Sequence, residues 1–383
     1  MSHRPTVFHL LPAALLAVFL SATYHSLLFT LTYKAVADGD IPTGLRWIPA
    51  HPGLLVKRGS PADLNRAAEL APTVSEPRIL LGLHQESLGN IAAAERLLLD
   101  AAKIDATYQP RWTLANFYLR HNRVDLFWVW THQAAAIRRD DLTPLLQTAL
   151  RLEPNPARWP TGFLPERLPA RLQLIHLLIA NNLLTDAFPY ILELPSSQHR
   201  ELFLAYCDRL LAAKLSAPAI RVWNLLGAGM LDPVQGRSLT NPSFQASCGA
   251  CFDWRLPPVE RVSLQPSPTR QLLAIELSTP PLPATLARQW IPVIPQSRYK
   301  LSIDYTWTGP PTPAARWIAA GQSSKPLEKE KAKIEFLFDS RSFDLIELEL
   351  RAEHAPGYSS PRGRLEISHL NLELLSWRGL EPP

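Results

Sequence analysis

Apolar residues recur at intervals of three and four along residues 61–230. Over 75–105 two such runs meet at Gly89, the first containing Ile79 and the second containing Leu98. That spacing places the apolar side chains on one face of a helix. A glycine between two such runs favours a tight turn. The pattern therefore predicts pairs of amphipathic helices that pack against each other.

Alanine recurs at a fixed interval in the second helix of each predicted pair. Ala67, Ala101 and Ala135 are spaced 34 residues apart. Small residues at this period, with a turn glycine before them, resemble the tetratricopeptide (TPR) repeat, whose stacked helical hairpins form an α-solenoid. The resemblance implies an interaction scaffold, in which the first helix of each hairpin lines a groove.

The period weakens after the third unit. Residues 138–169 contain six prolines, and the pattern predicts a short helix at 142–152 followed by an irregular excursion. Helical spacing then resumes with Ala187 and Ala219 in the small position, which makes about four degenerate units in all. In the unit before the excursion, Arg123 stands where the turn glycine is expected and Trp128 stands where a small residue is expected. We expect looser or irregular packing at that point.

After residue 227 the apolar period becomes two, which is typical of strands with one buried face. The predicted strands cover 272–277, 290–294, 299–307, 334–338, 346–350 and 365–374. In the last strand the phase slips by one near Ser368 and His369, which predicts a β-bulge. Roughly seven or eight strands over about 140 residues predict an antiparallel β-sandwich.

The start of the chain has a different character. Residues 5–33 contain no Asp, Glu, Lys or Arg, and about 20 apolar residues suffice for a helix to cross a bilayer. We therefore expect residues 7–33 to form a transmembrane signal anchor. A signal peptide cleaved near residues 21–23 and a buried helix of a soluble protein are the alternatives. Arg4 favours a cytoplasmic N-terminus, with the bulk of the chain beyond the membrane.

These patterns divide the chain into four parts. We expect a signal anchor at 1–34, a linker rich in proline and glycine at 35–60, a TPR-like α-solenoid at 61–230 and a β-sandwich at 241–383. The fold class is multidomain, α then β. The 383 residues are 46% apolar and 19% charged, as in folded chains. The net charge of +5 is scattered along the chain, so nucleic-acid binding is not expected.

Landmarks in the predicted sandwich follow a definite order. Residues 241–244 read N-x-x-F, Trp254 follows within F-D-W-R-L, Tyr299 lies in the long strand, and 365–374 closes the domain. This order resembles bacterial jelly-roll modules of the carbohydrate-binding type, which implies a jelly roll able to bind a glycan. The acidic pair usual in the closing strand of those modules is replaced by His-Leu-Asn at 369–371, so calcium is not implied.

The whole layout resembles TPR proteins of the bacterial envelope that belong to surface-polysaccharide and exosortase systems. That resemblance implies a single-pass inner-membrane protein with its bulk in the periplasm and envelope proteins as partners. By the TPR resemblance, Glu86, Asn116, Arg120 and His121 are expected to face a protein partner in the groove. The alternative for these four residues is a solvated helix face.

Aromatic side chains are candidates for glycan contact, because their faces cover the apolar faces of sugar rings. The candidates are Trp290, Tyr299, Tyr305, Trp307 and Trp317. Tyr299, Tyr305 and Trp307 share the apolar face of one predicted strand and are expected in the core. Trp317 lies beside Arg316 after a proline-rich loop, so this pair is expected to form an exposed glycan platform.

Three cysteines are too few for a disulfide framework. Cys248 and Cys251 form a C-x-x-C pair, which can be a redox dithiol, part of a zinc site, a local disulfide or two free thiols. A redox motif needs a following helix to lower the thiol pKa, whereas proline-rich extended chain follows here. A local Cys248–Cys251 disulfide is the favoured interpretation. Cys207 falls in a predicted helix and is expected in the core.

Sequence motifs for common reactions are missing. The chain has no nucleophile elbow, zinc-protease, P-loop or dinucleotide-binding motif. Glu347 and Glu349 alternate along one strand, which is typical of a solvated face, although a glycosidase also uses two carboxylates. We expect a non-catalytic envelope scaffold without cofactor or metal, supporting surface-polysaccharide biosynthesis or export. The alternatives are a glycan-binding receptor that acts through the sandwich, and a thiol oxidoreductase or glycosidase.

Overall fold

The computed structural model describes residues 10–227, 230–245, 249–310, 315–327, 331–353 and 360–377. A helical part is followed by two antiparallel sheets, which confirms the predicted fold class. The chain forms two compact units, Met1–Leu177 and Leu178–Pro383. The second unit contains both the last helices and the sandwich.

The first helix, α1, runs from Leu10 to Asp38. An 18-residue window within its segment Leu15–Asp38 has a mean hydropathy of 1.6, and only 6% of that window is buried within the chain. By length and composition it can cross a membrane, and a signal sequence has the same properties. The apolar surface it exposes needs a cover that the described chain does not provide.

The segment predicted as a linker contains two short helices, α2 (Ile41–Trp47) and α3 (Pro52–Arg58). The segment expected to be a linker therefore contains regular helical structure. Both helices carry proline in their first turn, where its missing N–H costs no hydrogen bond. Leu54 and Leu55 are buried against Ala67 of the next helix, so the segment is part of the helical core.

Helical hairpins follow. In the first unit the helices are α4 (Pro61–Leu70), α5 (Glu76–Ser87), α6 (Ile91–Ile104), α7 (Tyr108–Arg120), α8 (Val124–Ile137) and α9 (Thr143–Leu152). Next along the chain are α10 (Leu168–Ala180), α11 (Leu184–Leu192), α12 (Arg200–Ala212) and α13 (Ser216–Leu225). The alanines at the 34-residue spacing, Ala67, Ala101 and Ala135, are all buried. The period therefore reflects close helix packing, as predicted.

The turns of the hairpins use residues that tolerate a left-handed backbone. Gly89, Asn122, Asn182 and Lys214 have φ of 79°, 55°, 60° and 60°. Glycine adopts this conformation without strain, and asparagine is the next most tolerant residue. The residue equivalent to the turn glycine is thus Asn122, one place before the expected Arg123.

Trp128 packs against irregular chain, which is one of the two outcomes expected at this position. Its ring meets Phe163 edge-on at 4.9 Å and lies 6.2 Å from Trp159, measured between ring centroids. Both partners belong to the proline-rich excursion and are buried. The excursion thus supplies two aromatic partners for the Trp128 side chain.

The sandwich contains strands β1 (Val262–Ser267), β2 (Leu272–Ser278), β3 (Ala284–Pro292), β4 (Ser297–Thr308), β5 (Arg316–Ala319), β6 (Gln322–Ser323), β7 (Lys331–Asp339), β8 (Leu345–Ala352) and β9 (Arg362–Trp377). One sheet has the order β1-β2-β9-β4-β7 and the other has the order β3-β8-β5-β6. All the pairs are antiparallel. Tyr299, Tyr305 and Trp307 are buried between the sheets, as predicted.

The predicted bulge in the last strand is confirmed. Asp304 of β4 pairs with His369 of β9, whereas the next residue, Tyr305, pairs with Ile367. Ser368 is therefore the extra residue. Both Ile367 and Leu370 remain buried on the two sides of the bulge, so the bulge keeps the apolar residues of β9 facing the core.

The N-x-x-F and F-D-W landmarks meet in the sandwich core. The Trp254 indole N–H donates a hydrogen bond of 3.1 Å to the Asn241 carbonyl, and the Phe244 ring lies 5.3 Å from the Trp254 ring. On its other side Trp254 meets Trp317 at 5.9 Å. These residues fasten the segment that leads into the sandwich.

Candidate functional site

Trp317 is fully buried in the sandwich core. The prediction that its ring forms an exposed glycan platform is therefore wrong. Strand β5 alternates, so that Ala315, Trp317 and Ala319 point inward while Arg316 points outward. Arg316 forms an ion pair of 3.1 Å with Glu353 at the surface.

An open cleft of about 640 Å³ lies on the outer face of the β3-β8-β5-β6 sheet, within the second unit. Lys214 of the α12–α13 turn forms one wall. Aromatic, apolar and charged side chains line the remainder, and the charged ones include Arg341, Asp344, Glu347, Glu349 and Arg351. The volume is within the range of small-molecule sites, which is about 300–1,000 Å³.

Trp290 of β3 is the large aromatic side chain on this face. It stands opposite Glu347 of β8 and is half-buried. The Lys214 ammonium lies 3.8 Å from the centre of its ring, which is a cation–π contact. Lys214 is placed there by its left-handed backbone in the helical turn. Phe343, which is 46% exposed, adds a second aromatic surface to the cleft.

Ion pairs hold the charged residues of the cleft in place. Arg288 lies 3.2 Å from Glu347, and Arg351 pairs with Glu349. Asp344 accepts a hydrogen bond from the Ser216 hydroxyl of α13. Because each carboxylate already has a partner, its orientation is fixed before any ligand arrives.

The cleft combines donors, acceptors and an aromatic face. Lys214, Arg341 and Arg351 offer N–H groups, and Asp344, Glu347 and Glu349 offer carboxylate oxygens. A ligand rich in hydroxyl groups needs both kinds of partner. A strongly charged ligand would gain from one half of the set and be repelled by the other.

Three of the four predicted groove residues bind one another in the first unit. The Arg120 guanidinium donates to Glu86 at 2.9 and 2.7 Å, and the His121 ring lies 2.9 Å from Glu86. The side chain of Asn116 donates to the Trp112 carbonyl within its own helix. Glu86 and Arg120 are 34 residues apart, so the pair links the ends of α5 and α7 in consecutive hairpins.

This pair stabilises the array in a pH-dependent way. The hydrogen bond from Arg120 lowers the pKa of Glu86. A carboxyl whose pKa is lowered by folding adds stability above its unfolded pKa of about 4.3 and loses that contribution as the pH falls through the folded value. We expect Glu86→Gln to cost about 1 kcal/mol at pH 7, because the acceptor side chain is 13% exposed and Arg120 is 48% exposed.

Urea unfolding at pH 7 and at pH 3 measures this effect. Glu69→Gln is the matched control, because Glu69 pairs with Arg66 on an exposed helix face. The cost of Glu86→Gln should shrink at pH 3, and the control should change little at either pH. An equal cost at both values would contradict the role of the carboxylate charge.

Of the cysteine pair, Cys248 lies outside the described residues. Cys251 is buried, and Cys207 is buried in α12 as predicted. Within the part of the chain that the structure describes, no group of three or more His, Cys, Asp or Glu is placed to hold a metal ion. Because Cys248 is not described, the predicted Cys248–Cys251 disulfide stays a prediction.

Sequence reasoning included Trp290 among the aromatic candidates but missed Lys214, Arg341 and Asp344. Lys214 and Trp290 are distant in sequence and meet only because the last helical turn lies against the sheet. A usable signal for the cleft was the alternation of β8, which turns Glu347, Glu349 and Arg351 to one side.

No protein-family model matches this chain, and no curated protein matches it. Among solved structures, MamA aligns with a TM-score of 0.24 at 16% identity, covering 42% of this chain and 90% of MamA. YrrB, a TPR protein with an unusual peptide-binding site, aligns with a TM-score of 0.18 at 13% identity, covering 52% of this chain and 82% of YrrB. A family 29 carbohydrate-binding module aligns with a TM-score of 0.21 at 10% identity, covering 36% of this chain and 91% of the module. The architecture itself is defined by the helix pairing and strand order described above.

Proposed function

We propose that this protein is a non-catalytic binding protein of the bacterial envelope, and that its sandwich binds a glycan in the cleft beside Trp290. The observation that carries the proposal is the juxtaposition of the Trp290 face with paired donors and acceptors. A sugar ring has an apolar face and a rim of hydroxyl groups, so it matches such a surface. The balance of three cationic and three anionic side chains in the lining favours a neutral glycan.

Binding suits these carboxylates better than turnover does. Glu347 and Glu349 each lie beside an arginine. A glycosidase needs one carboxyl group that holds a proton and a second that is free to attack or to activate water. Two carboxylates paired with arginines serve better as fixed hydrogen-bond acceptors.

Lys214 covers one face of Trp290, so ligand entry involves that side chain. A sugar that stacks on the ring would displace the ammonium toward the carboxylates of the cleft, or would stack beside it. The Lys214 ammonium is carried on a flexible four-carbon side chain, so moving it costs little free energy. The cation–π contact keeps the ring oriented while the cleft is empty.

The substitution Trp290→Ala tests the glycan site. We expect it to weaken binding of the preferred oligosaccharide at least about tenfold, since truncating a central aromatic contact usually costs more than 1.4 kcal/mol. A screen of immobilised bacterial polysaccharide fragments would identify the ligand, and calorimetric titration would give Kd.

Trp47→Ala is the matched control, because Trp47 is 42% exposed and lies in the first unit. It should leave Kd unchanged. Circular dichroism would show that Trp290→Ala keeps its sheet content. Equal affinity of wild type and Trp290→Ala would refute the site, and failure of the wild type to bind any glycan would refute the function.

A second function is proposed for the helical part, namely binding of protein partners. Stacked hairpins offer extended surfaces for this purpose, and Leu83 and Leu88 stay exposed at the end of α5 and in its turn. In-cell cross-linking of the full chain, followed by mass spectrometry, would identify partners. Partners that are lost in the double variant Leu83→Asp, Leu88→Asp would support this function, and partners retained in it would contradict this surface.

The location proposed for the protein follows from α1. As a membrane anchor with a cytoplasmic N-terminus, α1 would leave both units in the periplasm, where surface polysaccharide passes during export. Support comes from its length and hydropathy and from Arg4 ahead of it. Recovery of polysaccharide-synthesis or export proteins in the cross-linking experiment would support a role in that pathway.

A further inference from the structure

Two cysteines distant in sequence meet inside the second unit. Cys207 is on α12 and Cys251 precedes β1, and both side chains are fully buried. The Cys251 backbone N–H donates to Asp208 at 3.0 Å, and the Cys251 thiol donates to the Leu204 carbonyl at 3.2 Å. Residues 204, 207 and 208 share one face of the helix. Cys251 is thus fixed against the turn of α12 that carries Cys207.

Both residues are free thiols, and the neighbouring Cys251 has the largest effect on the Cys207 thiol, whose pKa it raises. The Cys207 thiol also reaches the Ala219 carbonyl of α13 at 3.7 Å. This environment holds both sulfur atoms in one closed space shared by α12, α13 and the segment before the sandwich.

Neighbouring contacts fix the approach of that segment. Arg255 forms an ion pair with Asp208, and the Phe252 ring meets the Trp223 ring of α13 at 6.0 Å. Cys251 has φ of 52°, a left-handed conformation that is uncommon for cysteine and is maintained by these surroundings. The juxtaposition of the two thiols is therefore set by several independent contacts.

We propose that Cys207 and Cys251 form a disulfide that links α12 to the sandwich. An oxidant of the disulfide class, either oxidised glutathione or a protein disulfide, would accept two electrons and two protons and become two thiols. One cysteine thiolate attacks the oxidant to form a mixed disulfide, and the second thiolate displaces the reduced thiol as the new S–S bond forms. The local Cys248–Cys251 bridge competes for the same Cys251 sulfur.

Burial determines the stage of folding at which this disulfide can form. The hydrogen bond with Cys251, followed by burial, raises the pKa of the Cys207 thiol, so little reactive thiolate exists once the unit is folded. Exchange must then occur during folding, before α12 closes over the thiols. In the folded protein, both burial and the raised pKa protect the bond from thiol reductants.

Peptide mapping tests the pairing directly. Full-length protein in detergent would be refolded in a glutathione redox buffer, alkylated and digested with trypsin without reduction. Cleavage at arginine gives 201–209, which contains Cys207, and 238–255, which contains both other cysteines. We expect these two peptides to be joined, with one alkyl group on Cys248. A bridge internal to 238–255, or three alkylated cysteines, would overturn the proposal.

Single variants distinguish the two possible partners of Cys207. Cys248→Ser should still give the joined peptides. Its Tm should also still fall when a thiol reductant is present during heating. Cys251→Ser and Cys207→Ser should each abolish both. Should either of these variants fail to fold, the mapping result for Cys248→Ser alone still decides, because joined peptides in it can only contain Cys251. These readouts do not depend on the glycan site.

Discussion

Replacing Trp254 with alanine is expected to lower the free energy of unfolding of the second unit by about 3–5 kcal/mol. Trp254 is fully buried, and its ring contacts both Phe244 and Trp317. The substitution leaves a cavity that the two sheets cannot close, and it leaves the Asn241 carbonyl without its indole donor.

Urea unfolding followed by far-ultraviolet circular dichroism measures this loss. Trp47→Ala provides the control, because it removes the same side chain from an exposed position, and it should cost less than about 0.5 kcal/mol. A cost below about 1 kcal/mol for Trp254→Ala would mean that the N-x-x-F and F-D-W landmarks do not fasten the sandwich.

The second large effect is expected at a helix crossing in the first unit. Leu98→Ala should cost about 2–5 kcal/mol, since Leu98 is fully buried. Its side chain lies directly over Gly82 of α5, where an added Cβ would come within 2.9 Å of the Leu98 Cγ. Leu88→Ala is the matched control, because Leu88 is 59% exposed.

A double-mutant cycle tests the same contact from its other side. Gly82→Ala alone should destabilise through overlap with Leu98, although alanine is the better helix former. In the Leu98→Ala background the same change should become neutral or stabilising, because the overlapping atoms are gone. Independent, additive effects would show that the crossing does not depend on close approach at Gly82.

Local periodicity explains why much of the fold was predictable. The alternation along β4, β8 and β9 and the phase slip at Ser368 are visible in the sequence because each strand has one buried face. The 34-residue spacing of Ala67, Ala101 and Ala135 is visible because each alanine is at a helix crossing. Such signals need no knowledge of distant contacts.

The failures have equally physical causes. The two short helices within 35–60 were not predicted, because proline is common in linkers and also starts helices. Trp317 seemed exposed because it follows a loop, whereas the four-residue strand β5 turns it inward between Ala315 and Ala319. A short strand gives too few positions for its phase to be recognised.

The candidate site was harder to predict than the fold. Lys214 reaches the cleft from the helical turn and Trp290 from the sheet, while Ser216 of α13 binds Asp344 just before β8. Similarly, Glu86, Arg120 and His121 were expected to face a partner, and the sequence did not reveal that Arg120 and His121 both bind Glu86. Pairing across long sequence separations is a property of the folded chain.

Hydroxyl-radical footprinting of the full-length protein with and without its preferred oligosaccharide tests the central claim most directly. Oxidation of each aromatic residue is measured by mass spectrometry. We expect the ligand to protect Trp290 and Phe343, while exposed Trp47 reacts equally in both samples. Unchanged oxidation of Trp290 when the glycan is bound, with protection elsewhere, would contradict the assignment of the cleft as the glycan site.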